Sequence, residues 1–467
     1  MTVSDAVIES YQLHPSTVRE YDIRGTVPDT LSEADMQAIG HAYAGWHYAV
    51  KGEAPSIAVA RDGRASSPAL AEALLRGLLE GGAVVTDFGV GPTPMLYFAA
   101  ATYAMDGGLM VTGSHNPPTH NGVKMVSFGK PFYGQQIKDL AASIGTYPTR
   151  QGSVTQADIR DAYVERLLQE QAHEGRSLNI AWDAGNGASG EIIDRLSVNM
   201  GDHEHACLYT AIDGTFPNHH PDPSVIENLA DLTAVVEAEG CDVGLAFDGD
   251  GDRLGVVDER GRPVPSDQLL MLFCRDVLVD LPDATLIADV KTSQTVFDDI
   301  AALGGHPIMW KTGHSHIKVK MRETGAAFGG EASGHLFFAD RYDGFDDGLY
   351  AAMRLIRLLS IQDKPLSALI DALPRWHSTP ELRIDCEESR KFAVIEEIRG
   401  RLDTQGTEYL AIDGVRISTP DGWWLIRASN TQAAIIARAE ARDPQALAVL
   451  TEQLRIQLEA SGVTLPQ

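Results

Sequence analysis

Cysteine is scarce in this chain, with four in 467 residues. Cys207, Cys241, Cys274 and Cys386 lie far apart and form no Cys-x-x-Cys pair. That spacing excludes a disulfide framework and a cysteine zinc cluster, and leaves reduced, buried thiols. Long apolar runs are absent too, and none approaches the ~18 residues a membrane helix needs. The first residues carry Asp5 and Glu9 and lack the order of basic, apolar and small residues that marks a secretion signal. A cytoplasmic location, away from membrane, is therefore the expectation. Positive charge is in deficit: 38 Lys and Arg stand against 65 Asp and Glu, a net charge of −27. Such a surface repels nucleic acid and anionic lipid. An anionic substrate would need a local basic pocket set against that field. The histidines His203, His205, His219 and His220 show no HExxH spacing and read as structural. No obligate protein partner is indicated.

What is present is an ordinary soluble composition, 22% charged and 44% hydrophobic, in a chain long enough for roughly three domains at about 150 residues each. A strand at 56–60 is followed by the polar turn Arg61-Asp62-Gly63-Arg64. Ser67 before Pro68 reads as a helix cap. Leu70, Leu74, Leu75, Leu78 and Leu79 give one apolar helical face, closed by Gly81-Gly82. A strand from Val84, a helix from Pro94 to Tyr103 and a strand at 109–111 complete the round. A second round has a strand at 178–182, a helix from about residue 190, a helix at 225–239 and a strand at 243–247. A third has a helix at 266–279 and strands at 285–288, 307–310 and near Phe328. Beyond residue 374 the pattern changes. Leu382 and Ile384 alternate with polar residues, a helix covers 389–402, Asp421-Gly422 marks a hairpin turn, and a last helix follows Asp443-Pro444. The expected fold is α/β: three topologically similar mixed α/β domains at 1–155, 156–262 and 263–374, then a smaller α+β domain at 375–467.

Four stretches carry chemistry. Residues 112–118 read TGSHNPP and leave the end of a predicted strand, where open α/β sheets bind ligands. Ser114 there is a possible nucleophile with Lys124 as electrostatic partner, although a Ser/Asn/Pro turn gives the same letters. Asn121-Gly122 is read as the turn that follows. Residues 248–253 read DGDGDR, with three carboxylates at alternate positions between apolar strands. Brought together they repel, and so imply a cation. An EF-hand loop has the same aspartate spacing, and Glu259 falls at its twelfth position. Arg253, however, stands where that loop needs glycine, and the flanks look like strands. Mg²⁺ with an open position for a phosphate oxygen fits better. Residues 330–335 read GEASGH, where Glu331 and Ser333 suit sugar hydroxyls and His335 suits proton movement near neutral pH. Residues 427–431 read RASNT, a guanidinium, two hydroxyls and an amide on a tight loop, as a phosphate cradle requires. Arg24 in YDIRG (21–25), Lys291 and His314 in KTGH (311–314) add polar and basic groups at predicted strand ends.

In order and spacing these stretches resemble the α-D-phosphohexomutase family, bacterial phosphomannomutase/phosphoglucomutase type, from Tyr21 to Thr431. Residues 216–224 (FPNHHPDPS) are similar to a further family signature. The resemblance implies four domains around a central cleft, each giving one loop. It implies that Ser114 carries a phosphoryl group and that Asp248, Asp250 and Asp252 hold Mg²⁺ against the phosphoserine. Arg24, Lys124 and Arg253 would stabilise the transferring charge. Tyr21, Lys291, His314, Glu331 and Ser333 would contact the substrate, and Arg427, Ser429, Asn430 and Thr431 would grip the phosphate that is not reacting. His335 is the proton shuttle in this reading. The activity implied is interconversion of hexose 1- and 6-phosphates of mannose or glucose, with glucose 1,6-bisphosphate or mannose 1,6-bisphosphate as intermediate and activator. Gln432-Ala433 replaces an acidic residue and proline, and Ala332 replaces bulkier residues; neither removes a chemical group given a role, and Ala332 leaves the sugar preference open. A phosphoglucosamine mutase is the alternative within the family, although those enzymes carry Ser-Gly-Thr rather than Ser429-Asn430-Thr431. A Mg²⁺-dependent sugar phosphatase would leave the RASNT loop idle. A non-catalytic sugar-phosphate-binding protein would not need Ser114. A serine hydrolase lacks its G-x-S-x-G motif.

Overall fold

The computed structural model describes residues 11–172 and 174–465; the stretch with Asp5 and Glu9 lies outside them. The chain divides into two compact units. Unit 1 takes Met1–Val264, Gly334–Phe337 and Phe345–Ala368, and unit 2 takes Pro265–Ser333, Phe338–Gly344 and Leu369–Gln467.

The first sheet of unit 1 contains β1 (Ile23–Thr26), β2 (Ser56–Arg61), β3 (Val84–Val90), β4 (Gly107–Val111), β5 (His120–Ser127), β6 (Lys130–Pro131) and β7 (Ser153–Gln156). Its order is β1-β5-β4-β2-β3-β7, with β6 beside β5. Strand β2 runs parallel to β3 and β4, and β5 runs antiparallel to β4. Ile57, Val59, Leu109 and Val111 pack under Leu70, Leu74 and Leu78 of the helix Ser67–Glu80 and under Met36, Ile39 and Tyr43 of the helix Glu33–Lys51. The two helices almost touch through their backbones, since a Cβ on Gly77 would fall 1.9 Å from the Gln37 carbonyl oxygen. The second sheet contains β8 (Asn179–Asp183), β9 (Glu204–Leu208), β10 (Val243–Phe247) and β11 (Leu254–Asp258) in the order β11-β10-β8-β9. The helix Gly348–Ser360 belongs to this unit despite its late position. It is buried along nearly its whole length, and Tyr350 and Asp347 exchange hydrogen bonds with Glu170 (2.8 Å) and Tyr163 (2.8 Å).

The third sheet contains β12 (Thr285–Asp289), β13 (His306–Trp310), β14 (Phe328–Gly330) and β15 (Leu336–Phe338), ordered β13-β12-β14-β15. Taking β2–β5 of the first sheet, all three sheets repeat one four-strand plan, in which the first strand is flanked by the second and third and the fourth lies beyond the third. The fourth sheet differs. It is antiparallel, built from β16 (His377–Ser378), β17 (Leu382–Asp385), β18 (Val415–Thr419), β19 (Gly422–Ala428) and β20 (Ala434–Ala441). The helices Lys391–Gln405 and Pro444–Glu459 cover it through Val394, Ile398, Leu402, Leu450 and Leu454. Within unit 2 the fully buried Arg416 of β18 donates to the carbonyls of Val290 (2.6 Å) and Thr292 (3.0 Å) and lies 3.7 Å from the Trp423 ring. Among the described residues no helix is long and apolar enough to cross a membrane.

Four local expectations are corrected. Ser66, not Ser67, stands at the helix cap, and the Ser67 hydroxyl bonds Asp62 instead. Asn121-Gly122 is not a turn but part of β5, where Gly122 pairs with Arg24. The helix at 225–239 is a 3-10 turn, Ile226–Leu229, followed by the α-helix Ala230–Glu239. The hairpin turn lies one residue early, because Thr419 pairs with Gly422 and leaves Pro420-Asp421 as the loop.

One core group makes stability depend on pH. His47 is fully buried among Tyr43, Trp46 and Phe128, and neither ring nitrogen finds a hydrogen-bond partner. Burial lowers its pKa to about 4 from 6.5, outweighing nearby Asp106. The unfolded chain therefore binds the proton first. Stability is intact above pH ~6.5 and falls as the pH drops towards ~4, by roughly 3 kcal/mol in total. Urea unfolding at pH 7 and pH 4.5 should show a smaller acid loss for His47→Leu than for the unaltered protein; equal losses would refute the assignment.

Candidate active site

In each repeated sheet the loop that leaves the third strand carries the polar motif: 112–119 after β4, 248–253 after β10 and 331–335 after β14. In unit 1 two of these loops meet. Ser114 is buried and adopts φ +50°, a left-handed backbone rare for a residue with a Cβ. Its amide donates to Thr112 Oγ1 (2.8 Å), and its hydroxyl donates to Asp248 Oδ2 (2.9 Å). The close approach requires glycine at 249, where a Cβ would fall 2.4 Å from the Ser114 carbonyl oxygen. The flanks of the acidic loop are the antiparallel strands β10 and β11, and Glu259 bonds the Ser367 amide (3.0 Å), so the EF-hand geometry is not formed.

Asp248, Asp250 and Asp252 are all fully buried, and each offers one oxygen within 4.8 Å of the others. Burial first, and then the charges of Asp252 and Asp250, push the Asp248 carboxyl well above its ordinary pKa. One oxygen each of Asp250 and Asp252 has no hydrogen-bond partner. Three converging carboxylates, two of them with an oxygen that no donor holds, are a donor set suited to a hard divalent cation. The other oxygens are held by fixed donors. Lys124 Nζ bonds Asp250 (2.6 Å) and also Asp252, and the amides of Asp252 (3.1 Å) and Arg253 (3.2 Å) donate to Asp248 Oδ1. Burial would lower the Lys124 pKa, but the carboxylates of Asp250 and Asp252 override it and hold the ammonium charged.

Around this centre, Arg24 on β1 bonds Asp22, Asn116 Oδ1 (3.0 Å) and the Gly113 carbonyl (3.3 Å). Tyr21, just before β1, is buried. His335 Nε2 lies 3.3 Å from Arg253 Nε and 3.4 Å from Asp252 Oδ1. Sequence reasoning gave no role to four neighbours. His115 Nδ1 lies 3.2 Å from Ser114 Oγ, and burial, then Arg253, depress its pKa well below normal, so it is neutral. Thr93 bonds Asp250, and its amide donates to the Asp250 carbonyl (2.8 Å). Asp62 and Arg64, read only as part of a polar turn, are buried beneath the serine loop. Of the lone histidines, His203 and His205 accept from the Leu178 amide (3.1 Å) and from Trp182 Nε1 (3.0 Å), and His219 Nε2 lies 2.9 Å from Asp183 Oδ2.

Unit 2 gathers the remaining groups. The Gly313 amide donates to Glu331 Oε1, and His314 Nδ1 lies 3.4 Å from Lys318 Nζ. Ser333 is half-buried on the same loop as Glu331. Asp413 accepts from Arg427 Nε (2.9 Å) and from the Thr312 amide (3.2 Å), which joins the KTGH and RASNT loops. Ser429 Oγ caps the Gln432 amide (3.2 Å), Asn430 is half-buried and Thr431 is exposed. Beneath this loop the buried Lys391 donates to the carbonyls of Ser429 (2.6 Å) and Gln432 (3.0 Å), another support not read from sequence. Lys291 is paired with Glu381 (2.9 Å); burial would raise the Glu381 pKa, but the Lys291 charge lowers it to about 2.

The chain matches the phosphoglucomutase/phosphomannomutase family models for alpha/beta/alpha domains I, II and III at 15–151, 161–261 and 265–376, and for the C-terminal domain at 381–457. It therefore belongs to the phosphoglucomutase/phosphomannomutase family. A phosphomannomutase/phosphoglucomutase of Pseudomonas aeruginosa is 44% identical over 460 residues, 97% of this chain and 98% of that protein. A phosphoglucomutase of Neisseria gonorrhoeae is 45% identical over 449 residues, 95% of this chain and 96% of its own length. The crystal structure of a phosphoglucomutase/phosphomannomutase family protein from Burkholderia thailandensis superposes with a TM-score of 0.90 at 43% identity, covering 97% of this chain and all of that one.

Proposed function

We propose that this chain is a phosphohexomutase that interconverts the 1- and 6-phosphates of mannose or glucose through phosphorylated Ser114 and a hexose 1,6-bisphosphate. The observation that carries this reading is the Ser114 hydroxyl at 2.9 Å from Asp248, inside a buried acidic trio. Full-length relatives named for these activities support it.

Asp248, Asp250 and Asp252, with an oxygen of phosphorylated Ser114, would hold Mg²⁺. Bound there, the ion supplies charge neutralisation to the phosphoryl oxygens. Transfer breaks the bond between Ser114 Oγ and phosphorus and forms one from phosphorus to a sugar hydroxyl. The proton of that hydroxyl leaves to a base, for which His335 is the residue proposed, and the departing Ser114 Oγ takes up a proton to return to its hydroxyl form. Arg24, Arg253 and the permanently charged Lys124 stabilise the oxygens of the transferring group. Lys291, His314, Glu331 and Ser333, with Tyr21, orient the sugar. Arg427, Ser429, Asn430 and Thr431 hold its other phosphate. Return of that second phosphate to Ser114 requires the bisphosphate to bind in the reversed orientation, so the sugar contacts must tolerate both. This role assignment divides the chain as the sequence suggests, at 1–155, 156–262, 263–374 and 375–467. The partners are small sugar phosphates, and the free thiols suit the reducing cytoplasm.

Phosphorus NMR tests the reading. With Mg²⁺ and a trace of glucose 1,6-bisphosphate, glucose 1-phosphate and mannose 1-phosphate in separate tubes should each become the 6-phosphate. Activity confined to glucosamine 1-phosphate would overturn the substrate, and release of inorganic phosphate without isomer would overturn the mutase. Chelation should abolish turnover, and added Mg²⁺ should raise the melting temperature.

A further inference from the structure

We infer that Arg64 is the positioning residue that holds Ser114 ready for phosphoryl transfer; this deepens the function proposed above and rests on it. Its side chain is fully buried, and its donors are directed at the serine loop. NH1 bonds the carbonyls of Pro117 (2.7 Å) and His120 (3.1 Å), and NH2 bonds those of Ser114 and Asn116 (2.7 Å). Nε bonds Asp62 Oδ2 (3.1 Å), and the Phe216 ring lies 5.1 Å from the guanidinium carbon. Asp62 completes the frame from the other side, accepting from Thr112 Oγ1 (2.9 Å) and from the Gly113 amide (3.2 Å). One planar cation therefore gathers four carbonyls from a seven-residue arc, 114–120.

The consequence lies in backbone direction. Carbonyls drawn to one side fix the peptide planes around Ser114, whose φ of +50° is costly for a residue with a Cβ and persists only where its surroundings impose it. With the Ser114 carbonyl turned to Arg64, the hydroxyl is the group left to reach Asp248. Lysine cannot reproduce this. Its ammonium has three donors on one centre and no planar fork. Arg64 touches no reacting atom; it acts through the loop, at the distance where a displacement of about 1 Å costs roughly 10²-fold in rate.

Arg64→Lys keeps the charge and should lower kcat by about 10²-fold while KM for glucose 1-phosphate stays within about twofold. In Arg64→Ala, guanidinium chloride at a few millimolar should restore activity at least about tenfold over the same concentration of NaCl. Amides 113–116 should exchange hydrogen faster in the lysine variant. An unchanged kcat in Arg64→Lys, or a raised KM with kcat preserved, would overturn the inference. So would an Arg64→Ala protein that folds but gains nothing from guanidinium. If the alanine variant does not fold, the lysine variant decides alone. Should the unaltered chain isomerise no sugar phosphate, the proposed function fails, and the exchange rates still report whether Arg64 holds the loop.

Discussion

Ser114→Ala should lose at least about 10⁴-fold in kcat/KM for glucose 1-phosphate, because the substitution deletes the atom to which the phosphoryl group is bound. Binding should survive. The neighbours that shape the loop contact its backbone, as the Arg64 bond to the Ser114 carbonyl does, and alanine keeps that carbonyl. The fold should survive at a cost of about 1.5–3 kcal/mol, the worth of the one charge-assisted bond to Asp248 that is lost. Intact mass after incubation with glucose 1,6-bisphosphate gives an independent readout: the unaltered protein should gain one phosphate and the alanine variant none. Retention of more than a few per cent of activity would show that the phosphoryl group resides elsewhere.

Lys124→Met should have the second largest effect, and on two properties at once. The ammonium bonds two carboxylates, and all three side chains are almost or entirely removed from water. Removing one member of such a set leaves uncompensated buried charge, at a cost of about 3–5 kcal/mol. Urea unfolding without divalent ions should show that loss. Saturating Mg²⁺ should return part of it, because the ion supplies charge to the same carboxylates. Turnover should fall by about 10²–10³-fold even with Mg²⁺ present, the range for removal of one preorganised charge from a transfer site. A variant that loses this stability but keeps its activity would reduce Lys124 to an ordinary buried ion pair, and one of unchanged stability would overturn the ion pair as well. Lys124→Arg separates the two effects, since it preserves charge but not the fit between Asp250 and Asp252.

The parts of the site that were legible in the sequence are local ones. A glycine-spaced acidic run between two apolar strands announces itself, because the strand alternation, the turn residues and the ligands are all contiguous. The same holds for 112–118 and 427–431. What stayed hidden depends on which strand ends are neighbours. Asp62-Gly63-Arg64 has the letters of a solvent-exposed turn. It becomes the floor of the serine loop only because β2 lies beside β4, so that the exits of both strands adjoin. Lys391 is similarly anonymous in a helical stretch, and its meaning comes from two carbonyls 38 and 41 residues away. The helix Glu33–Lys51 was overlooked although its start is written plainly: Ser32 and Asp35 form a capping box, and Met36, Ile39 and Tyr43 share one face. Asn121-Gly122 misled in the other direction. That pair favours hairpin turns, but here Gly122 serves close approach, with a Cβ placed 2.3 Å from the Ile23 carbonyl oxygen.

The membership of Gly334–Phe337 and Phe345–Ala368 in unit 1 sets an order of events during synthesis. A ribosome that has passed residue 264 has made both sheets of that unit, but not the helix Gly348–Ser360 against which Tyr163 and Glu170 are anchored, nor His335. Roughly a hundred more residues must emerge first, about 5–20 s at ~5–20 residues per second. During that interval the nascent unit exposes an apolar face and holds its acidic trio without the His335 neighbour. A fragment ending near residue 264 is a lasting version of that nascent state, and it should be recovered bound to chaperones or aggregated, whereas one ending after Ala368 should keep unit 1 soluble.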